Sequence, residues 1–138
     1  MMIMNISRKQ VATVSPEDPI AVAARRMDEL STDVTFVTVE GRPRGMVTAR
    51  DIAVAVAGRG TDPQAPAREI MTGTVAVEEE DYIFTAEQYM WERRVRYLPV
   101  VDSLGRLTGV VAYEDVLLSE FADHAERLGR SADGDAET

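Results

Sequence analysis

Residues 45–51 read Gly-Met-Val-Thr-Ala-Arg-Asp, and residues 109–115 read Gly-Val-Val-Ala-Tyr-Glu-Asp. Both are short apolar strands that run directly into a helix start, and they lie at an offset of 64 positions. Working outward at that offset, Val37, Gly41 and Arg42 fall on Val101, Gly105 and Arg106. At an offset of 63, Val14, Glu17, Asp18, Ile20, Ala23, Met27 and Glu29 fall on Val77, Glu80, Asp81, Ile83, Ala86, Met90 and Glu92. Unrelated segments would share roughly one identity per block, so the chain contains an internal repeat. The one-residue slip is expected between the blocks, near Leu30 to Val34, where a helix-to-strand loop can absorb it. A unit of about 60 residues buries too little core to stand comfortably alone. Two copies related by pseudo-symmetry would share a core and leave two equivalent clefts.

Each copy reads as strand, helix, strand, strand, helix. In the first, Val11 to Val14 is a short strand, and Ser15-Pro16-Glu17-Asp18-Pro19 supplies capping and an early-turn proline. The next helix gathers Ile20, Ala23, Ala24 and Met27 on one face. Val34 to Val39 and Arg44 to Thr48 form paired strands around Glu40-Gly41-Arg42-Pro43, and Arg50 to Ala57 closes as an apolar helix. The second copy runs as Thr74 to Val77, Tyr82 to Arg93, Tyr97 to Asp102, Arg106 to Val111 and a helix from about Glu114 to Leu128. The expected organisation is a first repeat over 6–57, a linker over 58–66, a second repeat over 67–129 and a disordered acidic tail over 130–138. The fold class is α/β (α+β), two pseudo-symmetric β-α-β-β-α repeats packed as one module.

Composition excludes several classes of function. The net charge of −9 argues against nucleic acid and anionic membrane surfaces as partners. There is no cysteine, hence no disulfide, thiolate metal site or cysteine nucleophile. The longest purely apolar run, Ile52 to Ala57, is too short to span a bilayer, and Met1 to Met4 lacks the pattern of a signal peptide. A cytoplasmic protein is expected. Of the 15 Lys and Arg residues only Lys9 is lysine, and arginine offers fixed forks for phosphate where it faces a cleft.

The densest chemical signal is Gly45 to Asp51. Thr48 stands at the N-cap of a helix and Asp51 three residues later, beside free backbone N–H groups. Such N–H groups suit a phosphate or polar ligand atom, and a carboxylate can accept hydrogen bonds from both hydroxyls of a ribose. Thr-x-x-Asp is equally the spacing of a capping box, in which the two side chains satisfy orphan amides. Spacing alone leaves both readings open. In the second copy Ala112 has lost the hydroxyl, so a ligand site there would be the weaker one. His124 reads as a surface residue, the Glu78 to Asp81 run as a helix start, and Tyr89, Met90 and Trp91 as helix-packing residues at the half-domain or dimer interface, without a catalytic or metal-binding constellation.

The stretch Arg94-Val95-Arg96-Tyr97-Leu98-Pro99-Val100-Val101-Asp102, with Gly105 and Gly109 to Asp115, resembles the hallmark of cystathionine-β-synthase (CBS) domains. Arg68-Glu69-Ile70-Met71-Thr72 resembles the lead-in to such a domain, and Gly45 to Asp51 matches the family's nucleotide motif at every position. The resemblance covers about Ile6 to Leu118. It implies a tandem CBS pair that dimerises into a disc and binds an adenosine derivative such as AMP, ADP, ATP, S-adenosylmethionine or NADH. By that resemblance Asp51 holds ribose, Thr48 lies near ribose or phosphate with Gly45 of the same motif as a further binding residue, and Val11 and Ala12 stand on the adenine side. Asp115 serves the second cleft. Arg96 matches a phosphate-reaching position, while Tyr97 replaces a more usual His or Arg. Asp33, at the corresponding place of the first repeat, would repel phosphate unless Arg96 serves across the clefts.

Two functions follow as alternatives. One is a non-enzymatic regulatory module, a homodimer that binds an adenine nucleotide and signals to a separate, unidentified partner protein. The other is a ligand-free dimeric scaffold in which Thr48 and Asp51 only cap a helix.

Overall fold

The computed structural model describes the backbone of residues 1–137 and the side chains of residues 1–129. After a 3₁₀ turn at Ile3–Asn5, the first half comprises β1 (Thr13–Val14), α1 (Ile20–Leu30), β2 (Val34–Val39), β3 (Arg42–Thr48) and α2 (Ala49–Ile52). The chain continues from α2 as a π-helix over Ala53–Gly58, so the expected closing helix is present with a wider winding. A second 3₁₀ turn at Ala67–Glu69 leads into β4 (Val77–Glu78), α3 (Ile83–Arg93), β5 (Tyr97–Val101), β6 (Leu107–Ala112) and α4 (Tyr113–Glu137). Each half carries a three-stranded sheet, β1-β2-β3 and β4-β5-β6, with the first pair parallel and the second antiparallel. The backbone of the tail expected to be disordered continues α4 as far as Glu137. No proline stops it there, and Ala, Arg and Glu are permissive of helix. Its side chains and Thr138 lie outside the described residues.

Strand register relocates the slip between the repeats. Val37 lies opposite Gly45 and Val100 opposite Gly109, so the offset is still 63 on the middle strands. The segment between helix and strand is the same length in both halves, fixed by left-handed residues at Ser31 (φ 52°) and Arg94 (φ 56°). The extra residue sits instead in the second hairpin. The first turns tightly through Glu40 and Gly41, both at positive φ, as a two-residue hairpin loop requires. The second is wider, and Asp102 Oδ1 gathers the N–H groups of Leu104 (2.9 Å) and Arg106 (3.0 Å). Those N–H groups hold the Asp102 carboxyl below the usual carboxylate range.

The halves exchange their lead-in segments. Ile3 is fully buried among Val77, Ile83, Met90 and Leu98 of the second half, with Ile6 against the same cluster. Ala67 is fully buried among Val14, Ala23, Met27 and Val47 of the first half, with Ile70 and Met71 against it. Burying a side chain such as Ile3 contributes about 1.5–3 kcal/mol. Backbone ladders repeat the exchange: Thr72 N–H donates to Met46 O and Met46 N–H to Thr72 O (2.9 Å each), while Arg8 and Val110 do the same (2.9 and 3.0 Å). A third apolar cluster joins the sheets, with Val34, Phe36 and Met46 of the first half against Val110 of the second.

This crossing explains both motif glycines. A Cβ on Gly45 would stand 2.8 Å from the Thr72 carbonyl oxygen, and one on Gly109 2.7 Å from that of Arg8. Gly58 has nothing within 4 Å. Gly45→Ala and Gly109→Ala should therefore each lower the unfolding free energy by about 1–3 kcal/mol, as overpacking does. Gly58→Ala should be neutral or slightly stabilising. Urea denaturation of the three variants checks this, and equal stability of all three would contradict the close approach.

Candidate functional site

The lead-in exchange makes each cleft a joint product of both halves. The larger one, about 700 Å³, lies at the β3–α2 junction, a volume in the range of small-molecule sites. The first half contributes Asp33, Met46 and Thr48 to Asp51; the second contributes Thr72 and Arg93 to Tyr97.

At its floor the helix start forms a complete capping box. Thr48 N–H donates to Asp51 Oδ2 (2.8 Å), and Asp51 N–H donates to Thr48 Oγ1 (3.2 Å). The geometry thus includes the capping reading of the motif without using up the carboxylate. Asp51 Oδ1 takes no hydrogen bond from the described residues, and the half-buried Asp51 lines the cleft. The cap holds the side chain in one orientation and leaves one oxygen for a hydroxyl donor.

Arg96 of the second half lines the same cleft as Asp33 and Asp51 of the first. With Arg50, Arg93 and Arg94 it sets four arginines against two aspartates along the cleft wall. Arg93 and Arg94 carried no site expectation; their signal was the dense Arg93-Arg94-Val95-Arg96 run, which also reads as a solvated helix end. Gly45 stands beside the site, but the approach of Thr72 accounts for it.

The structure does not bring Val11 and Ala12 to this cleft. Ala12 is buried and its carbonyl accepts Phe36 N–H at 2.9 Å, while Val11 packs against the seam between the sheets. Because lead-ins are exchanged, the segment entering β1 borders the other cleft, and Thr72 of the second lead-in takes the corresponding place here.

That second cleft holds about 390 Å³ and is lined by Arg8, Lys9 and Gln10 of the first lead-in, by Leu30 to Thr32 and Val34, and by Tyr97, Val110 and Ala112. Asp115 is not among its walls. Its carboxylate meets the Arg8 guanidinium, with Nε to Oδ2 and Nη2 to Oδ1 both at 3.1 Å. Tyr97 borders both clefts. Burial first, then the charges of Asp33 and Glu114, push its phenol above the ordinary tyrosine value, against the opposing pull of Arg96 and Arg8. It is therefore a neutral hydroxyl at physiological pH. Of the residues expected at a half-domain or dimer interface, Met90 is buried and Tyr89 lies against the core of the second half, while Trp91 is 82% exposed on the single chain. Among the described residues no group of three or more His, Asp or Glu side chains is placed to hold a metal. No helix among them is long and apolar enough to cross a membrane.

A family model for the CBS domain matches this chain twice, over residues 3–58 and 67–120. The CBS domain-containing protein YhcV of Bacillus subtilis is 35% identical over 117 residues, which is 84% of this chain and 83% of that protein. The CBS domain protein PAE2072 from Pyrobaculum aerophilum, solved in complex with AMP, superposes with a TM-score of 0.78 at 24% identity, covering 86% of this chain and 97% of that one. The CBS domain pair of protein MJ0100, solved with 5′-methylthioadenosine and S-adenosyl-L-methionine, gives 0.78 at 24% identity over 89% and 98%.

The capping box has a measurable consequence. Thr48→Ala should cost about 1 kcal/mol of stability, as loss of an N-cap does. The double variant with Asp51→Ala should cost less than the sum of the two single changes, because each side chain serves the other's amide. Chemical denaturation of the four proteins tests this; full additivity would show that the box does not form.

Proposed function

The chain belongs to the CBS-domain family and carries the domain twice, and from that premise we propose that it is a cytoplasmic regulatory module whose Asp51 cleft binds a phosphate-bearing adenosine nucleotide. AMP, ADP, ATP and NADH are the candidates. The observation that carries this reading is the convergence, in one cleft, of an oriented carboxylate with an unused oxygen and four arginines. The carboxylate suits a ribose hydroxyl, and guanidinium forks suit phosphate. The same arginines disfavour the sulfonium cation of S-adenosylmethionine, which places that ligand last. Arg96 supplies the phosphate contact that Asp33 alone would repel.

The module performs no chemistry of its own. Its output is a change in how it meets a separate partner protein, which requires the nucleotide to favour one arrangement over another. The working unit is a homodimer. Phe84 and Trp91 on α3 and Leu118 and Phe121 on α4 are 65–82% exposed, whereas the corresponding positions of the first half are Ala21, Asp28, Val54 and Ala57. So large an apolar face, present on one half only, is suited to a second copy. The competing reading, a ligand-free dimeric scaffold, draws on the capping box, because Thr48 and Asp51 already satisfy one another.

A thermal-shift series with AMP, ADP, ATP, NADH and S-adenosylmethionine separates the two. A nucleotide at about 100 times its Kd adds about 2.7 kcal/mol, hence several degrees in Tm. Asp51→Ala should abolish the shift while the protein remains folded, since a lost cap removes about 1 kcal/mol from a stability of about 5–15. Arg96→Ala should weaken ATP by about tenfold, the effect of one charge-assisted hydrogen bond, and S-adenosylmethionine hardly at all. No shift with any of the five at millimolar concentration would establish the scaffold.

A further inference from the structure

The second cleft keeps the aspartate of the first, Asp115 for Asp51, but differs from it around that carboxylate. Ala112 stands where Thr48 does, so the cap hydroxyl is gone. The wall facing it is Leu30, Ser31 and Thr32, where the first cleft has Arg93, Arg94 and Val95. The largest difference comes from the lead-in. Arg8 occupies the ladder position opposite Val110 that Thr72 occupies opposite Met46. From there its guanidinium delivers two parallel N–H bonds to the two oxygens of Asp115, and it also reaches Glu114 at 3.7 Å. Arg8 lines the second cleft, while Asp115, held by its fork, borders a separate cavity with Asn5, Ile6 and Leu118.

A ribose presents two hydroxyl donors to such a carboxylate. The Arg8 fork presents two donors as well, adds a positive charge, and is tethered within the same chain. Charge-assisted, bidentate bonds of this kind are roughly twice as strong as neutral ones, and the tether gives the arginine a high effective concentration that a free nucleotide must overcome. The backbone on both sides is pinned, Arg8 by its ladder to Val110 and Asp115 by its place in the first turn of α4.

We infer that Arg8 is a built-in occupant of the second cleft, closing it to nucleotides, so that the protein takes one nucleotide per chain, in the Asp51 cleft. The stoichiometry rests on the nucleotide reading of that first cleft; the closure by Arg8 does not.

Isothermal titration with ATP tests both parts. Wild type should bind one ATP per chain and Asp51→Ala none. Arg8→Thr, which installs the residue that the first cleft carries at Thr72, should bind a second ATP about tenfold more weakly, for want of the Ala112 hydroxyl. Asp51→Ala with Arg8→Thr should bind one. Two sites in wild type, or no second site in an Arg8→Thr protein with a normal melting transition, would overturn the inference. If wild type binds no ATP, the reading of the first cleft fails along with the stoichiometry. The closure is then decided by the melting temperatures of Arg8→Ala, Asp115→Asn and the double variant. A combined loss smaller than the sum upholds the pair, and simple additivity removes it.

Discussion

Everything else in this molecule depends on two short backbone ladders, Thr72 against Met46 and Arg8 against Val110. Each lays the lead-in of one repeat along the edge of the other repeat's sheet. Main-chain pairing of this kind demands a close approach, and the approach leaves no room for a side chain at Gly45 or Gly109. Once the segments are laid down, Ile3 and Ala67 are carried into cores that do not belong to their own repeats. Neither half owns a complete core, and the two therefore fold as one body.

The same crossing builds the clefts. A lead-in ends where β3 or β6 turns into its helix, so the carboxylate at that turn faces residues supplied by the opposite half. In the first cleft the residue delivered is the uncharged Thr72, and Asp51 keeps an oxygen open. In the second it is Arg8, and Asp115 is engaged at both oxygens. Identical architecture thus gives opposite electrostatic outcomes, decided by which residue rides on the ladder.

Much of this was legible in the sequence. Matched apolar positions and the repeated Gly-to-Asp pattern identified two copies of one unit, and Thr48 with Asp51 marked the helix start at the site. What escaped was set by long-range pairing. Ile3, Ile6, Ile70 and Met71 read as apolar lead-ins, but nothing local says which half receives them, and Val11 and Ala12, expected at the Asp51 cleft, line neither cleft. The slip between repeats was placed at Leu30 to Val34 because identities change offset around there. Backbone geometry keeps that segment equal in both copies, and the tolerant hairpin at Asp102 to Arg106 absorbs the extra residue. Arg93 and Arg94 had an innocent explanation as a solvated helix end, since only the opposing wall makes them part of a cleft.

Duplication starts from two equal sites, and here they have diverged by a few charges. Arg94 against Ser31 adds a positive charge to the first cleft, Thr48 against Ala112 leaves it a cap hydroxyl, and Thr72 against Arg8 leaves its carboxylate without an arginine partner. No strand or helix had to move for this to happen; the ladders and the glycines are kept in both halves. Because the Asp51 cleft is walled from both sides, a ligand there touches the relationship between the halves rather than either half alone. An interaction confined to one repeat would leave that relationship unchanged. A guest lodged between the two walls would add to the forces that the ladders already exert, with its effect greatest where the two repeats meet.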